Sequence, residues 1–175
     1  MLILDSAPPA KVGGKPKRRI QNLSWIQQLG LEDAVRHTPP PKSSTAKKGL
    51  GFETRVGELL RKMESEGSIS NLLLKPWFRF VDRNGYGLAQ PDMLFEVTLP
   101  DSSEVLHVVC ECKLTETSDA WQQLTDLYIP IIKAVNQTEN VTGLQIVRNI
   151  RSRDVEFFSE FEDFVPCGTW FLPTT

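Results

Sequence analysis

The chain has 175 residues, of which 40% are hydrophobic and 24% are charged, and its formal net charge is −2. These values are typical of one globular domain and exclude a wholly disordered or collagen-like chain. No apolar run approaches the ~18 residues of a membrane span, and the first ten residues lack the basic start of a signal peptide. Of three cysteines, Cys110 and Cys112 lie two apart on one predicted strand, which suits neither a disulfide nor a zinc site. We therefore expect an intracellular, cytoplasmic protein, in the host cytoplasm if it is viral.

Basic residues are concentrated in the first third of the chain. Residues 1–62 carry 12 Lys and Arg against 5 Asp and Glu, whereas residues 63–175 carry 8 against 17. A basic segment beside an acidic remainder is typical of contact with a polyanion, although a solubilising tail explains it equally well. We interpret residues 1–46 as a flexible basic arm with a short helical segment in 22–36 and a Pro-rich linker. Its candidate nucleic-acid-binding residues are Lys11, Lys15, Lys17, Arg18 and Arg19.

Residues 47–175 are predicted to form one α/β core domain. An apolar stripe from Phe52 to Met63 predicts an amphipathic helix over 51–65, with Glu53 at the border of the stripe. Asn84-Gly85 is a strong hairpin signal between two apolar segments. The predicted strands are 77–83, 88–99, 105–114, 143–147 and 169–172, and the later helices run from Thr117 or Ser118 to Val135 and over 153–163. The core order is therefore α-β-β-β-α-β, a mixed sheet flanked by helices.

Two short motifs lie at corresponding ends of the second and third of these strands. Pro91-Asp92 lies in the second strand, and Glu111-Cys112-Lys113 ends the third. Because strand side chains alternate, Glu111 and Lys113 share a face, and a short connection lets Asp92 lie beside them. Neighbouring carboxylates suit Mg²⁺ or Mn²⁺, and with an ammonium group they suit phosphodiester hydrolysis. For the Glu-x-Lys tripeptide alone, a salt bridge at a strand end is the simpler interpretation.

The motifs, their order and their placement together resemble the PD-(D/E)xK nuclease superfamily, which has a restriction-endonuclease-like α-β-β-β-α-β core. Lys48-Gly49 followed by Glu53 is also similar to the opening of the first helix in archaeal Holliday-junction resolvases. The resemblance covers about residues 47–148. It implies a metal-dependent DNA nuclease in which Asp92, Glu111 and Glu53 bind Mg²⁺ or Mn²⁺.

The same resemblance implies that Lys113 is catalytic and that Gln123 joins the site. Exonuclease-like members carry a Gln and a Tyr four residues apart on the second helix, whereas Gln123 and Tyr128 are five apart. On a helical wheel, Gln123 lies nearer the site than Gln122, and Tyr128 lies at the centre of the apolar face. We therefore predict Gln123 as the site residue and Tyr128 as a core residue.

Several other polar and aromatic residues each allow a functional and a structural interpretation. His107 is expected to be a hydrogen-bonded sheet histidine rather than a ligand. Arg79, Arg83, Trp77 and Tyr86 are candidates for contact with a nucleic-acid backbone or base, with a place in the core as the alternative.

Two further classes of function compete with a nuclease. One is a nuclease-fold DNA-binding or assembly protein without turnover, and the other is a generic α/β interaction domain. As partners the sequence predicts DNA and no membrane, with a homodimer or a protein partner within a recombination, transposition or phage DNA-processing machine left open. Endonuclease and exonuclease activity are equally compatible with the motifs.

Overall fold

A computed structural model describes residues 2–3, 18–30, 40–115, 118–149 and 167–171. The predicted helix over 153–163 and the candidate residues Lys11, Lys15 and Lys17 lie outside this part. The strands are β1 Leu2–Ile3, β2 Trp25–Gln28, β3 Ser70–Leu74, β4 Phe78–Asp82, β5 Gly85–Ala89, β6 Met93–Thr98, β7 Val105–Thr115, β8 Val141–Asn149 and β9 Cys167–Phe171. The helices are α1 Ser44–Ser65, α2 Ser118–Gln123 and α3 Ile129–Asn136, and a π-helical segment, Leu124–Tyr128, joins the last two.

Helix α1 begins seven residues before the predicted start. Ser43 caps it, and its hydroxyl oxygen accepts a hydrogen bond from the Ala46 N–H at 3.0 Å. The Pro-, Ser- and Lys-rich composition of residues 38–49 is the reason that the start of this helix resembled a linker. The apolar stripe is buried as predicted, at Phe52, Val56 and Leu60. No helix among the described residues is both long and apolar enough to cross a bilayer.

The main sheet has six strands in the order β1-β9-β8-β7-β6-β3. Strand β6 pairs antiparallel with β3 and β7, whereas β8 runs parallel to β7 and β9. Apolar side chains of α1 cover one face, and those of α2, the π-helical segment and α3 cover the other. The predicted mixed α/β class is confirmed. The succession α1, β3, β6, β7, α2–α3 and β8 follows the order α-β-β-β-α-β, with a hairpin inserted between β3 and β6.

The inserted hairpin corrects the prediction for the first two core strands. Strands β4 and β5 turn at Asn84-Gly85, as predicted, but with β2 they form a separate three-stranded sheet in the order β2-β4-β5. The first core strand is β3, which sequence reasoning missed because its pairing with β6 shifts register and Asn71 has a positive φ of 50°. The predicted strand over 88–99 is interrupted at residues 90–92, where Pro91 cannot donate a ladder hydrogen bond.

The predicted helical segment in 22–36 is wrong for residues 25–28, which form β2. This strand pairs antiparallel with β4, and Ile26 packs against the core between two outward-facing neighbours. The Leu29 N–H donates to the Trp77 carbonyl at 2.9 Å, and the Ile20 N–H donates to the Asp126 carbonyl at 2.8 Å. Pairing with the edge of β4 therefore outweighs the local helical pattern, and residues 18–30 are attached to the core.

We expect Gly87→Ala to lower the free energy of unfolding by about 1–3 kcal/mol, because there is no room for a side chain. A Cβ at Gly87 would lie 2.8 and 2.9 Å from two ring carbons of Phe80, which is fully buried. Urea denaturation measures the loss. Gly51→Ala, where nothing lies within 4 Å on the helix surface, is the matched control and should stabilise by about 0.5–1 kcal/mol. Equal effects of the two substitutions would contradict the packing argument.

Candidate active site

Asp92 lies in the interruption between the two sheets and is held there by three hydrogen bonds. Its N–H donates to the Cys110 carbonyl at 3.1 Å, and its carbonyl accepts from the Lys75 N–H at 2.8 Å. Its carboxylate oxygen Oδ2 accepts from the Cys112 N–H at 2.7 Å. The carboxylate is therefore oriented by the backbone of β7.

Glu111 and Lys113 share one face of β7, as strand alternation requires. Lys113 Nζ donates to Glu111 Oε1 at 2.6 Å, and the side chains are 31% and 6% exposed, respectively. Cys110 and Cys112 pack in the apolar cluster beneath α1, on the other face. An ionised carboxylate that is nearly inaccessible to water must be paired, and the ammonium of Lys113 supplies that pairing.

Glu53 reaches the same region from α1, where it is bound by a residue that sequence reasoning did not identify. Lys75 Nζ lies 2.8 Å from Glu53 Oε1. The backbone of Lys75 has a positive φ of 50°, and its carbonyl accepts from Gln90 Nε2 at 3.0 Å. Glu53, Lys75 and Asp92 line a shallow cavity of about 310 Å³ beside α1. No signal marked Lys75, because it follows the unpredicted strand β3.

The electrostatics of the cluster are dominated by negative charge. Burial and the negative charges of Glu111 and Glu53 raise the pKa of Asp92 to about 7. The hydrogen bond from the Cys112 N–H and the charge of Lys113 lower it, but by less. Burial alone would lower the pKa of Lys113, but Glu111 and Asp92 raise it above its usual value. Lys113 is therefore protonated at neutral pH, and Asp92 changes its charge there.

The π-helical segment brings Tyr128 to this cluster. Gln123 Nε2 donates to the Tyr128 hydroxyl at 2.6 Å, and this hydroxyl donates to the Gln90 carbonyl at 3.0 Å. In a regular α-helix, residues five apart point about 140° away from each other. A π turn is wider and closes hydrogen bonds between residues five apart, as from the Ile129 N–H to the Leu124 carbonyl, and it brings Gln123 and Tyr128 within contact.

Tyr128 is both a core residue, as predicted, and a neighbour of the carboxylates. It is 3% exposed, and burial raises its pKa, as do the nearby charges of Glu111 and Asp92. The structure thus groups Glu53, Asp92, Glu111, Lys113 and Gln123 and adds Lys75 and Tyr128. The five-residue spacing from Gln123, which departs from the four-residue pattern, was the one signal for Tyr128.

His107 lies outside the cluster. Its Nδ1 is 3.7 Å from Glu96 Oε1, and Asn71 Nδ2 donates to Glu96 Oε2 at 2.7 Å. His107 thus lies in the sheet beside Glu96, at a separation longer than a hydrogen bond, and its role stays a prediction.

Arg18, a candidate nucleic-acid contact, is used within the fold. Its guanidinium donates to Asp82 Oδ1 at 2.8 Å and to the carbonyls of Gly85 and Tyr86, and it lies 4.8 Å from the centre of the Phe80 ring. Although burial alone would raise the pKa of Asp82, hydrogen bonds from the Gln21 N–H and Arg18 hold it below its usual value. Arg18 therefore fastens the start of the described core to the hairpin, whereas Arg19 is exposed.

A comparison of the chain with protein-family models, with curated proteins and with solved structures finds no match.

Carboxylate oxygens are the donors that a hard cation such as Mg²⁺ or Mn²⁺ prefers, and the surplus negative charge at Asp92 fits such an ion. Within the described ranges, however, no three His, Cys, Asp or Glu side chains are already arranged as a set of metal ligands. Asp92 and Glu111 are the two best-placed donors. Glu53 is the third carboxylate, and it is ion-paired through Oε1 with Lys75, as Glu111 is through Oε1 with Lys113.

We expect Asp92→Asn to stabilise the metal-free protein at pH 8 by about 1–3 kcal/mol and to have little effect near pH 4. Since the folded-state pKa of about 7 exceeds the ordinary 3.8, the folded protein holds a proton that the unfolded chain has lost. Wild-type stability therefore falls as the pH rises through this window, whereas Asn stays neutral and can still accept from the Cys112 N–H.

Urea denaturation in EDTA at several pH values between 4 and 8 measures this difference. Asp101→Asn, in an exposed turn, is the matched control and should show no such trend. A stability difference that does not depend on pH would contradict charge repulsion as its origin.

Proposed function

We propose that this protein is a Mg²⁺- or Mn²⁺-dependent nuclease that hydrolyses phosphodiester bonds in DNA. The observation that carries the proposal is the raised pKa of Asp92, caused by burial beside Glu111 and Glu53, next to the protonated Lys113. Such clusters of perturbed groups are typical of catalytic sites. The α-β-β-β-α-β succession around it is the one that the resemblance to PD-(D/E)xK nucleases implies.

Asp92 and Glu111 would hold the metal, with Glu53 as a third donor. A bound divalent ion supplies polarisation of a phosphoryl oxygen and a lowered pKa for a coordinated water. The protein orients these donors in advance. The Cys112 N–H fixes the carboxylate of Asp92, and Lys113 fixes that of Glu111.

Lys113 is the group that offsets charge on the reacting phosphate. Its ammonium carries three donors, of which Glu111 takes one at 2.6 Å. Because its pKa is raised, it stays protonated and is able to donate to a phosphoryl oxygen that gains negative charge. It has no lone pair for a metal in this state, so its role belongs to the chemical step.

Gln123 and Tyr128 act as positioning residues in this proposal. The Tyr128 hydroxyl ties the Gln123 amide to the Gln90 carbonyl, two residues before Asp92. This linkage connects the second helix to the segment that carries Asp92.

The ion pairs favour a second candidate, a nuclease-fold DNA-binding or assembly protein without turnover. Lys113 neutralises Glu111 and Lys75 neutralises Glu53, at 2.6 and 2.8 Å. Two of the three carboxylates are neutralised internally in this way, and a proton on Asp92 would neutralise the third without a metal. Metal binding and cleavage separate the two candidates.

The deciding experiment incubates the protein with supercoiled, linear, single-stranded and branched DNA in Mg²⁺ and in Mn²⁺. We expect cleavage, which Lys113→Ala should reduce by ~10² or more while Mn²⁺ affinity, measured by calorimetry, stays nearly intact. Asp92→Ala should lose metal binding and cleavage together.

Lys133→Ala is the matched control, because Lys133 also pairs with a glutamate at 2.7 Å but on the surface. It should leave metal binding and cleavage unchanged. Wild-type protein that neither binds Mn²⁺ nor cuts any of these substrates would favour the non-catalytic candidate. Full activity of Lys113→Ala would show that Lys113 has no part in the reaction and serves only as a structural salt bridge to Glu111.

A further inference from the structure

The three-stranded sheet formed by β2, β4 and β5 presents one face to the core and the other to solvent. Phe78, Phe80 and Ala89 are buried on the inner face, against the apolar cluster of α3. Directly paired residues on neighbouring strands lie on the same face of a sheet. The positions that alternate with these buried residues therefore form the outer face.

The outer face carries two exposed aromatic residues in one cross-strand row. Trp25 pairs with Val81, and Val81 pairs with Tyr86. Trp25 is 45% exposed and Tyr86 is 55% exposed, and both are among the most exposed large hydrophobic residues of the described chain. A second row, parallel to the first, consists of Gln27, Arg79 and Leu88.

The charge of this face is positive. Among the six positions of the two rows, Arg79 is charged and none is acidic. Arg83, which is exposed, follows β4 directly. The acidic residue of the hairpin, Asp82, points away, with its side chain fully buried against Arg18. Among the described positions of this face, an anionic partner therefore meets no carboxylate.

We infer that the outer face of the β2-β4-β5 sheet binds a single-stranded nucleic acid. Bases stack on Trp25 and Tyr86, and the guanidinium groups of Arg79 and Arg83 contact the phosphates. Stacking on aromatic side chains beside a positive surface is how sheets bind unpaired strands without sequence preference. A paired duplex presents no free base faces to Trp25 and Tyr86.

The chain connects this face to the candidate active site. Strand β5 runs from the Tyr86 row into residues 90–92, so Tyr86 and Asp92 are six residues apart, or about 20 Å along an extended chain. A nucleic-acid strand bound to the outer face would therefore continue toward Asp92. In this respect the inference rests on the proposed function and specifies its substrate as DNA with an unpaired segment.

The test measures binding of a fluorescein-labelled oligothymidine and of a duplex of equal length by anisotropy, in EDTA to prevent cleavage. We expect the single strand to bind more tightly. Trp25→Ala and Tyr86→Ala should each weaken its binding by about tenfold, whereas Trp25→Phe should retain most of the affinity. Arg79→Gln should make the dependence of log affinity on log salt shallower by about 0.7.

Val105→Ala is the control, because Val105 is 37% exposed on the main sheet. It should leave binding unchanged, and circular dichroism should show each variant folded. Unchanged oligothymidine binding in both alanine variants would overturn the inference, as would a preference for the duplex or for polyglutamate, which would indicate a protein-binding face.

Failure of this inference and failure of the proposed function are distinguishable. Oligothymidine binding that depends on Trp25, without cleavage in Mg²⁺ or Mn²⁺, would support the binding face and overturn the nuclease. Metal-dependent cleavage of single-stranded DNA that is unaffected by Trp25→Ala and Tyr86→Ala would overturn the binding face and support the nuclease.

Discussion

The hydrogen bond from the Cys112 N–H to the Asp92 carboxylate, 2.7 Å long, attaches the segment that joins the two sheets to strand β7. Strands β6 and β7 pair from Thr98–Val105 up to Met93–Cys110, and continuing this register would place Pro91 opposite Cys112. The Asp92 side chain serves as the acceptor at this point, where the ladder ends. The half-buried Cys112 N–H therefore needs an acceptor, which the Asp92 carboxylate supplies. The same hydrogen bond fixes the orientation of that carboxylate.

Residues 90–92 are where the remaining elements meet. Gln90 accepts from Tyr128 and donates to the Lys75 carbonyl, which connects the second helix to the segment after β3. Asp92 accepts from the Lys75 N–H, and its own N–H donates to β7. The hairpin sheet ends at the same place, because β5 leads directly into Gln90. Both sheets and the π-helical segment are thus connected through residues 90–92.

Those features of the site that depend on local periodicity were predictable from the sequence. The period of two along β7 places Glu111 and Lys113 together, and the period of 3.6 along α1 places Glu53 at the edge of its apolar stripe. The features that were missed depend on contacts between distant segments. The local pattern around Trp25 favours a helix, and only pairing with the edge of β4 makes it a strand. Tyr128 reaches the site because one turn widens to π geometry, which α-helical periodicity does not indicate.

The distribution of charge explains why this cluster is poised to change state near neutral pH. Three carboxylates, those of Glu53, Asp92 and Glu111, face two ammonium groups, those of Lys75 and Lys113. Burial, with the charges of Glu111 and Glu53, raises the pKa of Asp92 to about 7, so Asp92 binds a proton near neutral pH. In the proposed nuclease, a proton and a divalent cation would compete for the same oxygen atoms, so the metal affinity would fall as the pH drops below 7. The negative charge that destabilises the metal-free fold is, in this view, the same charge that would bind the metal.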